Sequence, residues 1–138
     1  MPSIFSYQKH IDSLVTRELA LPVDATGQRL GTELATVAGI TYVSLPDGAT
    51  LPTVQPSEIA ASVKPVTLDV TLIAAISKAS PHVQLIRRRA AEKIAEQYSI
   101  SDEIKLLRTA PSPEHDFYNS YVESCRAWGR AQKAALGL

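Results

Sequence analysis

The chain has 138 residues, of which 45% are hydrophobic and 20% are charged, a composition typical of an ordinary globular domain. Its 14 basic and 14 acidic side chains balance, which disfavours both a strongly cationic nucleic-acid binder and a highly charged disordered chain. Because Cys125 is the only cysteine, an intramolecular disulfide and a cysteine-rich zinc site are excluded. No run approaches the ~20 apolar residues that span a bilayer, and the first residues lack the pattern of a secretory signal. We therefore expect a soluble protein of a reducing compartment, with no membrane contact.

The first predicted element is an amino-terminal helix or arm within residues 1–22. Between residues 4 and 19, apolar side chains recur at helical spacing and define one face, which comprises Tyr7, Ile11, Leu14, Val15 and Leu19. Ser3 or Ser6 supplies an N-cap, and Pro22 ends the helix. Such a face most often packs against a core. The alternative is that it docks on a partner or on a second copy of the chain, because a lone terminal helix must bury its apolar face.

A small β-rich segment with a proline-rich linker is predicted for residues 23–66. The strongest strand signal is Thr41–Leu45, whose β-branched and aromatic residues suit a pleated surface. Turn residues follow at 46–48, and the segments 34–37 and 50–54 are expected to flank the strand as a meander. Two or three short strands make a poor core alone. We therefore expect them to pack on helices or to extend a partner's sheet through an open edge.

A helical domain is predicted for residues 67–138. A short helix covers Leu68–Ala79, with Thr67 as its cap. The next helix starts at Ser80-Pro81, a cap residue followed by a proline at the first helical position, and runs to Tyr98.

Two further helices complete this domain. Ser101-Asp102-Glu103 begins a short helix, because acidic residues suit its amino-terminal dipole, and Ser112-Pro113-Glu114 begins the last one. The last helix carries a stripe of large or apolar side chains: Phe117, Tyr121, Cys125 and Trp128. The predicted fold is α+β, with an amino-terminal helix or arm, a small β-meander, and a carboxyl-terminal helical hairpin with a short cross-helix.

Candidate catalytic and metal-binding residues are sparse. The three histidines, His10, His82 and His115, are far apart in sequence, and none belongs to a metal-binding spacing. Cys125 lies on the apolar stripe of the last helix, which favours an inert buried thiol over a nucleophile. The paired acids at 102–103 and at 114 and 116 stand at helix starts, where capping explains them. We therefore predict a non-enzymatic protein with no cofactor and no bound metal.

The only basic run is Arg87-Arg88-Arg89. Arginines are able to contact phosphate, but three successive helical positions spread over about 200° around the helix axis. A solvated helix face or a salt-bridged contact between subunits is the favoured interpretation. Nucleic-acid binding is the disfavoured one.

Four segments carry a resemblance to a known group of proteins. They are Leu45–Ala49 with Gln55–Ile59, Ser80–Val83, Glu92–Arg108, and the closing segment Tyr118–Arg130. Together they resemble the small proteins encoded beside the tail fibres of tailed bacteriophages, a group that includes tail-fibre assembly chaperones. The shared pattern is a helix ending near Tyr or Pro, a short helix with a leucine pair, and a final helix carrying a Trp. The resemblance covers residues 45–138.

The resemblance implies a protein that binds a tail fibre, either as an assembly chaperone or as an attached adaptor. The alternatives are a structural subunit of the virion, in the baseplate, neck or head decoration, and a nucleic-acid-binding regulator built around residues 87–89. The implied partner is a tail-fibre or baseplate protein, with a second copy of the chain as the alternative. The implied location is the host cytoplasm during assembly or the virion tail. Candidate partner-binding residues are Tyr7, Ile11, Leu14, Tyr118, Tyr121 and Trp128.

Overall fold

The computed structural model describes residues 1–138 and shows a mixed α+β chain, which confirms the predicted fold class. Its strands are β1 (Ser3–Tyr7), β2 (Thr32–Val37), β3 (Ile40–Leu45) and β4 (Lys64–Val66). Its helices are α1 (Ser57–Ala60), α2 (Val70–Ala79), α3 (Pro81–Gln97), α4 (Ile100–Arg108) and α5 (Pro113–Ala135). Unit 1 comprises Met1–His82 with Ala135–Leu138, and unit 2 comprises Val83–Ala134. These units group the chain by contact, whereas the predicted segments 1–22, 23–66 and 67–138 group it by composition.

The sheet of unit 1 is antiparallel, with the strand order β2-β3-β1-β4. The predicted amino-terminal helix over residues 4–19 is wrong, because β1 begins the chain and lies between β3 and β4. Its β-branched and aromatic residues suit a strand, and pairing on both sides satisfies its backbone N–H and C=O groups. The helical spacing of apolar residues carries no information about these pairings, because the partner strands lie about 40 and 60 residues away in the chain.

After β1, the chain follows an irregular path through residues 8–31. Asp12 turns the backbone, because its carboxylate accepts hydrogen bonds from the N–H groups of Leu14, at 2.7 Å, and Val15, at 2.9 Å. The side-chain amide of Gln55 pairs with both backbone groups of Ala20, accepting at 2.8 Å and donating at 3.0 Å. Side-chain bonds of this kind compete with helix formation and here replace the helical ladder that was predicted.

Apolar side chains on both faces of the sheet form two clusters. Ile4 and Tyr7 are three residues apart in β1, so their side chains point to opposite faces. The cluster around Ile4 comprises Leu34, Ala35, Tyr42 and Ile76, with Leu68, Leu72, Leu136 and Leu138 among the residues packed against it. The cluster around Tyr7 comprises Leu19, Val43 and Ile59. One face is therefore covered by α2 and the last residues of the chain, and the other by α1 and the irregular segment.

Strands β2 and β3 form a hairpin. β3 confirms the strand predicted at Thr41–Leu45, and β2 confirms the predicted flank at 34–37. The flank predicted at 50–54 is wrong: this segment is irregular, and β1 takes the third position in the sheet. The connecting turn is Ala38-Gly39, where both residues have a positive φ, at 51° and 80°. Two positive φ angles in a two-residue connection are typical of a type I′ turn, which matches the twist of the paired strands.

Three helices start at a capping side chain. The α2 cap is Asp69, whose carboxylate accepts from the N–H of Leu72 at 2.7 Å, so the predicted cap at Thr67 is wrong. In α4, Ser99 and Asp102 exchange side-chain and backbone hydrogen bonds, which is a capping box. In α5, the hydroxyl of Ser112 accepts from the N–H of His115 at 3.1 Å, which confirms the predicted start at Ser112-Pro113.

In unit 2, α3 and α5 run antiparallel. Gly129 near the end of α5 lies against Ile86 near the start of α3, whereas Tyr118 near the start of α5 contacts Tyr98 just after α3 ends. The short helix α4 joins them, at the position predicted for the cross-helix. None of the helices has both the length and the apolar character that crossing a lipid bilayer requires.

Candidate partner-binding surface

The three predicted binding residues of the amino-terminal segment lie in unit 1, and they do not share a helical face. Tyr7 is 2% exposed within its core cluster, so its ring is not available to a partner. Ile11 and Leu14 lie on the irregular segment with exposed fractions of 39% and 93%. Their helical spacing therefore does not correspond to a continuous apolar surface.

The other three predicted residues, Tyr118, Tyr121 and Trp128, lie along α5 and are half-buried. The rings of Tyr118 and Tyr121 lie 5.0 Å and 5.8 Å from the ring of Tyr98, centroid to centroid. The Lys93 ammonium lies 4.9 Å from the centroid of the Trp128 ring, a cation–π contact. These contacts within unit 2 show that the three side chains help to hold the hairpin together.

The hydroxyl groups of Tyr118 and Tyr121 also form hydrogen bonds within unit 2. The hydroxyl of Tyr118 donates to Oε1 of Glu103 at 2.9 Å, which ties α5 to α4. The hydroxyl of Tyr121 donates to the backbone carbonyl of Lys93, which ties α5 to α3. Loss of hydration and the neighbouring Glu103 carboxylate raise the pKa of Tyr118 above its ordinary value of 10.0. Both groups therefore stay protonated donors at neutral pH.

An exposed apolar surface of unit 2 lies on α4. Ile100, Ile104 and Leu107 are 76%, 48% and 62% exposed, and no residue of α4 is buried. Their spacing of four and three residues places all three on one side of the helix. We call this surface the α4 apolar face. The sequence pattern shows the amphipathic helix, but it does not show whether that side meets a core or solvent.

A groove lies beside α4 on a different side of the helix. It has a volume of about 660 Å³, and its apolar lining is formed by Tyr98, Leu106 and Phe117. Charged side chains at its rim are Asp102, Lys105 and Glu114. Phe117 is 73% exposed and also borders a second hollow of about 280 Å³, lined in addition by Pro113, Asp116 and Ser120. We call the two hollows together the Phe117 groove.

The carboxylates around the groove stand in the first turns of α4 and α5. The N–H and hydroxyl of Ser99 lower the pKa of Asp102 below its ordinary value of 3.8. This carboxylate is therefore charged at neutral pH. Glu114 and Asp116 stand in the first turn of α5, at the positive end of the helix dipole. The rim therefore presents three carboxylates and the ammonium of Lys105.

Titratable groups elsewhere in the chain are not gathered into a metal-binding set. No group of three or more His, Cys, Asp or Glu side chains lies close enough together to hold a metal ion. Cys125 is 4% exposed on α5, buried as its apolar stripe predicted. In unit 1, Glu33 accepts from the ammonium of Lys9 at 3.0 Å and from the hydroxyl of Tyr7 at 3.4 Å. The polar groups of these three side chains are therefore hydrogen-bonded to one another.

Comparisons with protein-family models, with curated proteins and with solved structures find no match to this chain.

Proposed function

We propose that this chain is a non-enzymatic protein of a bacteriophage tail-fibre module, which binds the tail fibre as an assembly chaperone or as an attached adaptor. The resemblance of residues 45–138 to such proteins supports the proposal. The observation that carries it is the α4 apolar face, because three large aliphatic side chains on one helix face are in contact with solvent. A helix with such a face gains stability when a partner covers it.

The geometry of the α4 apolar face suits an apolar partner surface. Ile100, Ile104 and Leu107 extend over two turns of helix, which is the arrangement of anchor residues that a hydrophobic groove accepts. Glu103 and Arg108 border the three residues along the helix and supply a polar rim. Apolar anchors surrounded by polar groups are the usual anatomy of a specific protein interface.

The binding test uses the full chain co-expressed with the tail fibre encoded beside it. Wild-type protein is expected to co-purify with the fibre, and Ile104→Glu with Leu107→Glu is expected to abolish co-purification by placing charges in the interface. Both positions are exposed, so the fold is expected to survive, which circular dichroism checks. The control is Val54→Glu, the same kind of change at a residue that is 81% exposed in unit 1.

Two results would contradict this surface as the fibre site. One is fibre binding by the α4 double variant at wild-type strength. The other is loss of binding in Val54→Glu. A third variant, Leu14→Glu, tests the surface predicted from the amino-terminal sequence, and we expect it to bind normally.

The role in assembly is decided by counting copies of the chain in purified virions by mass spectrometry. Presence in fixed proportion to the fibre identifies an attached adaptor. Absence from virions, together with abundance in infected cells and co-purification with free fibre, identifies a chaperone that leaves. A fixed proportion to another virion protein, without fibre binding, would identify a structural subunit and overturn the proposal.

A further inference from the structure

An exposed leucine of α3 precedes the basic run of Arg87-Arg88-Arg89. Leu85 is 41% exposed, and Arg88 and Arg89 follow it by three and four residues. At this spacing the three side chains are neighbours on the helix surface. We call them the Leu85 patch. Neither arginine forms an ion pair with a carboxylate of the chain, so two guanidinium groups lie in solvent one helical turn after an apolar side chain.

The Phe117 groove has the complementary chemistry. Its apolar lining includes Leu106 and Phe117, and the carboxylates of Glu114 and Asp116 border it without an ion pair. The larger of its two hollows has a volume of about 660 Å³, which falls in the range of natural binding clefts, about 300–1,000 Å³. An apolar side chain beside two cations therefore matches an apolar hollow beside carboxylates.

The remaining charges agree with this match. Glu92 lies seven residues after Leu85, two helical turns along the same side of α3. Lys105 is the one ammonium at the rim of the groove. The patch and Glu92 thus carry two positive groups and one negative group, and the groove carries three carboxylates and one ammonium. Such complementarity selects a partner and fixes its orientation.

We propose that the Phe117 groove binds the Leu85 patch of a second copy of this chain. Leu85 enters the hollow beside Phe117, and Arg88 and Arg89 pair with the carboxylates at its rim. Because the two contact surfaces differ, each copy presents one of each, and association of this type closes into a ring or continues as a chain of copies. The inference concerns self-association and does not rest on fibre binding.

The experiment measures the mass of the purified full chain by sedimentation over a concentration series at low and high salt. Wild-type protein is expected to self-associate, more strongly at low salt, because exposed charges are screened. Arg88→Glu with Arg89→Glu, and separately Glu114→Lys with Asp116→Lys, are each expected to weaken self-association about tenfold or more, since like charges then face each other.

Mixing the two double variants is the decisive step. Each retains the surface that the other lacks, and the two altered surfaces carry opposite charges, so the equimolar mixture is expected to associate more strongly than either variant alone. The matched control is Arg126→Glu with Lys133→Glu, which changes the net charge equally on α5 and is expected to self-associate like wild type. Ile104→Glu with Leu107→Glu, which lies outside both surfaces, is expected to do the same.

Four results would overturn the inference. If wild-type protein stays monomeric at every concentration, the chain does not self-associate. Equal weakening in the control variant would show a general charge effect. Failure of the two variants to pair would show that the surfaces do not meet. Salt-sensitive binding of duplex DNA that Arg88→Glu with Arg89→Glu abolishes, with no self-association, would assign the arginines to phosphate instead.

Discussion

Single residues in unit 1 are placed by backbone geometry and burial more than by their own propensities. Ala38 adopts a left-handed φ of 51°, although an L-residue with a Cβ disfavours this region. It does so because a two-residue connection between β2 and β3 requires it. Tyr7, which helical spacing marks as a surface candidate, lies in the core, because a residue in an interior strand of a sheet covered on both faces is enclosed.

The strained turn yields a stability prediction. Ala38→Asn is expected to raise the free energy of unfolding by about 1 kcal/mol, because Asn-Gly is the preferred pair for a type I′ turn. Urea denaturation with an unchanged m-value measures it. Ala131→Gly at an exposed position of α5 serves as the opposite control and is expected to cost about 1 kcal/mol. A destabilised Ala38→Asn would refute the turn assignment.

The buried phenol of Tyr7 yields a pH prediction. Burial, together with the Glu33 carboxylate, raises the pKa of Tyr7 from 10.0 to about 12. Because folding raises the pKa of this phenol, its contribution to the free energy of unfolding is fully present below pH 10 and is lost as the pH rises toward 12. The unfolding free energy of the wild type is therefore expected to fall more steeply over this window than that of Tyr7→Phe. Parallel pH profiles of the two proteins would contradict this.

At the scale of elements, Gly129 shows how closely α5 packs against α3. Gly129 is buried, and a Cβ built on it lies 3.8 Å from Cγ2 of Ile86 and 4.0 Å from Cβ of Ala90. These are ordinary contact distances, so α3 and α5 leave room for a methyl group and for little more. Gly31 in unit 1 differs, because a Cβ there lies 2.8 Å from Cδ2 of Leu45.

Substitutions at Gly129 test this packing. Gly129→Ala is expected to stabilise the protein by about 0.5–1 kcal/mol, because alanine favours the helix and its methyl group fits. Gly129→Leu is expected to destabilise it by about 1–3 kcal/mol through overpacking. Thermal and urea unfolding measure both. If Leu is tolerated as well as Ala, α3 and α5 are not in contact at this position.

At the scale of the molecule, unit 1 joins the two ends of the chain. Leu136 and Leu138 pack against the cluster that contains Ile4 of β1, and a Cβ built on Gly137 lies 2.9 Å from Cδ1 of Ile4. Residues more than 130 positions apart thus share one core. Contacts of this kind carry no local signature in the sequence, because hydrophobic periodicity reports only neighbours within one element.

Shortening these two leucines tests the joint core. Leu136→Ala with Leu138→Ala is expected to lower the free energy of unfolding by about 2 kcal/mol, since both side chains are half-buried. Leu14→Ala, at a residue that is 93% exposed, is the control and is expected to change it by less than about 0.5 kcal/mol. Equal effects of the two variants would show that the last residues do not belong to the core of unit 1.

The sequence by itself determined the helical half and one hairpin. Local signals suffice there: cap residues before prolines predict α3 and α5, and β-branched residues before a turn predict β3. The short helix α4 was also predicted, with its start at Ser101, whereas the structure caps it at Ser99 and begins it at Ile100. Tertiary structure alone decided that residues 3–7 form an interior strand, since strand pairing joins residues far apart in the chain. It also decided that the α4 apolar face meets solvent, because burial depends on what other elements leave uncovered.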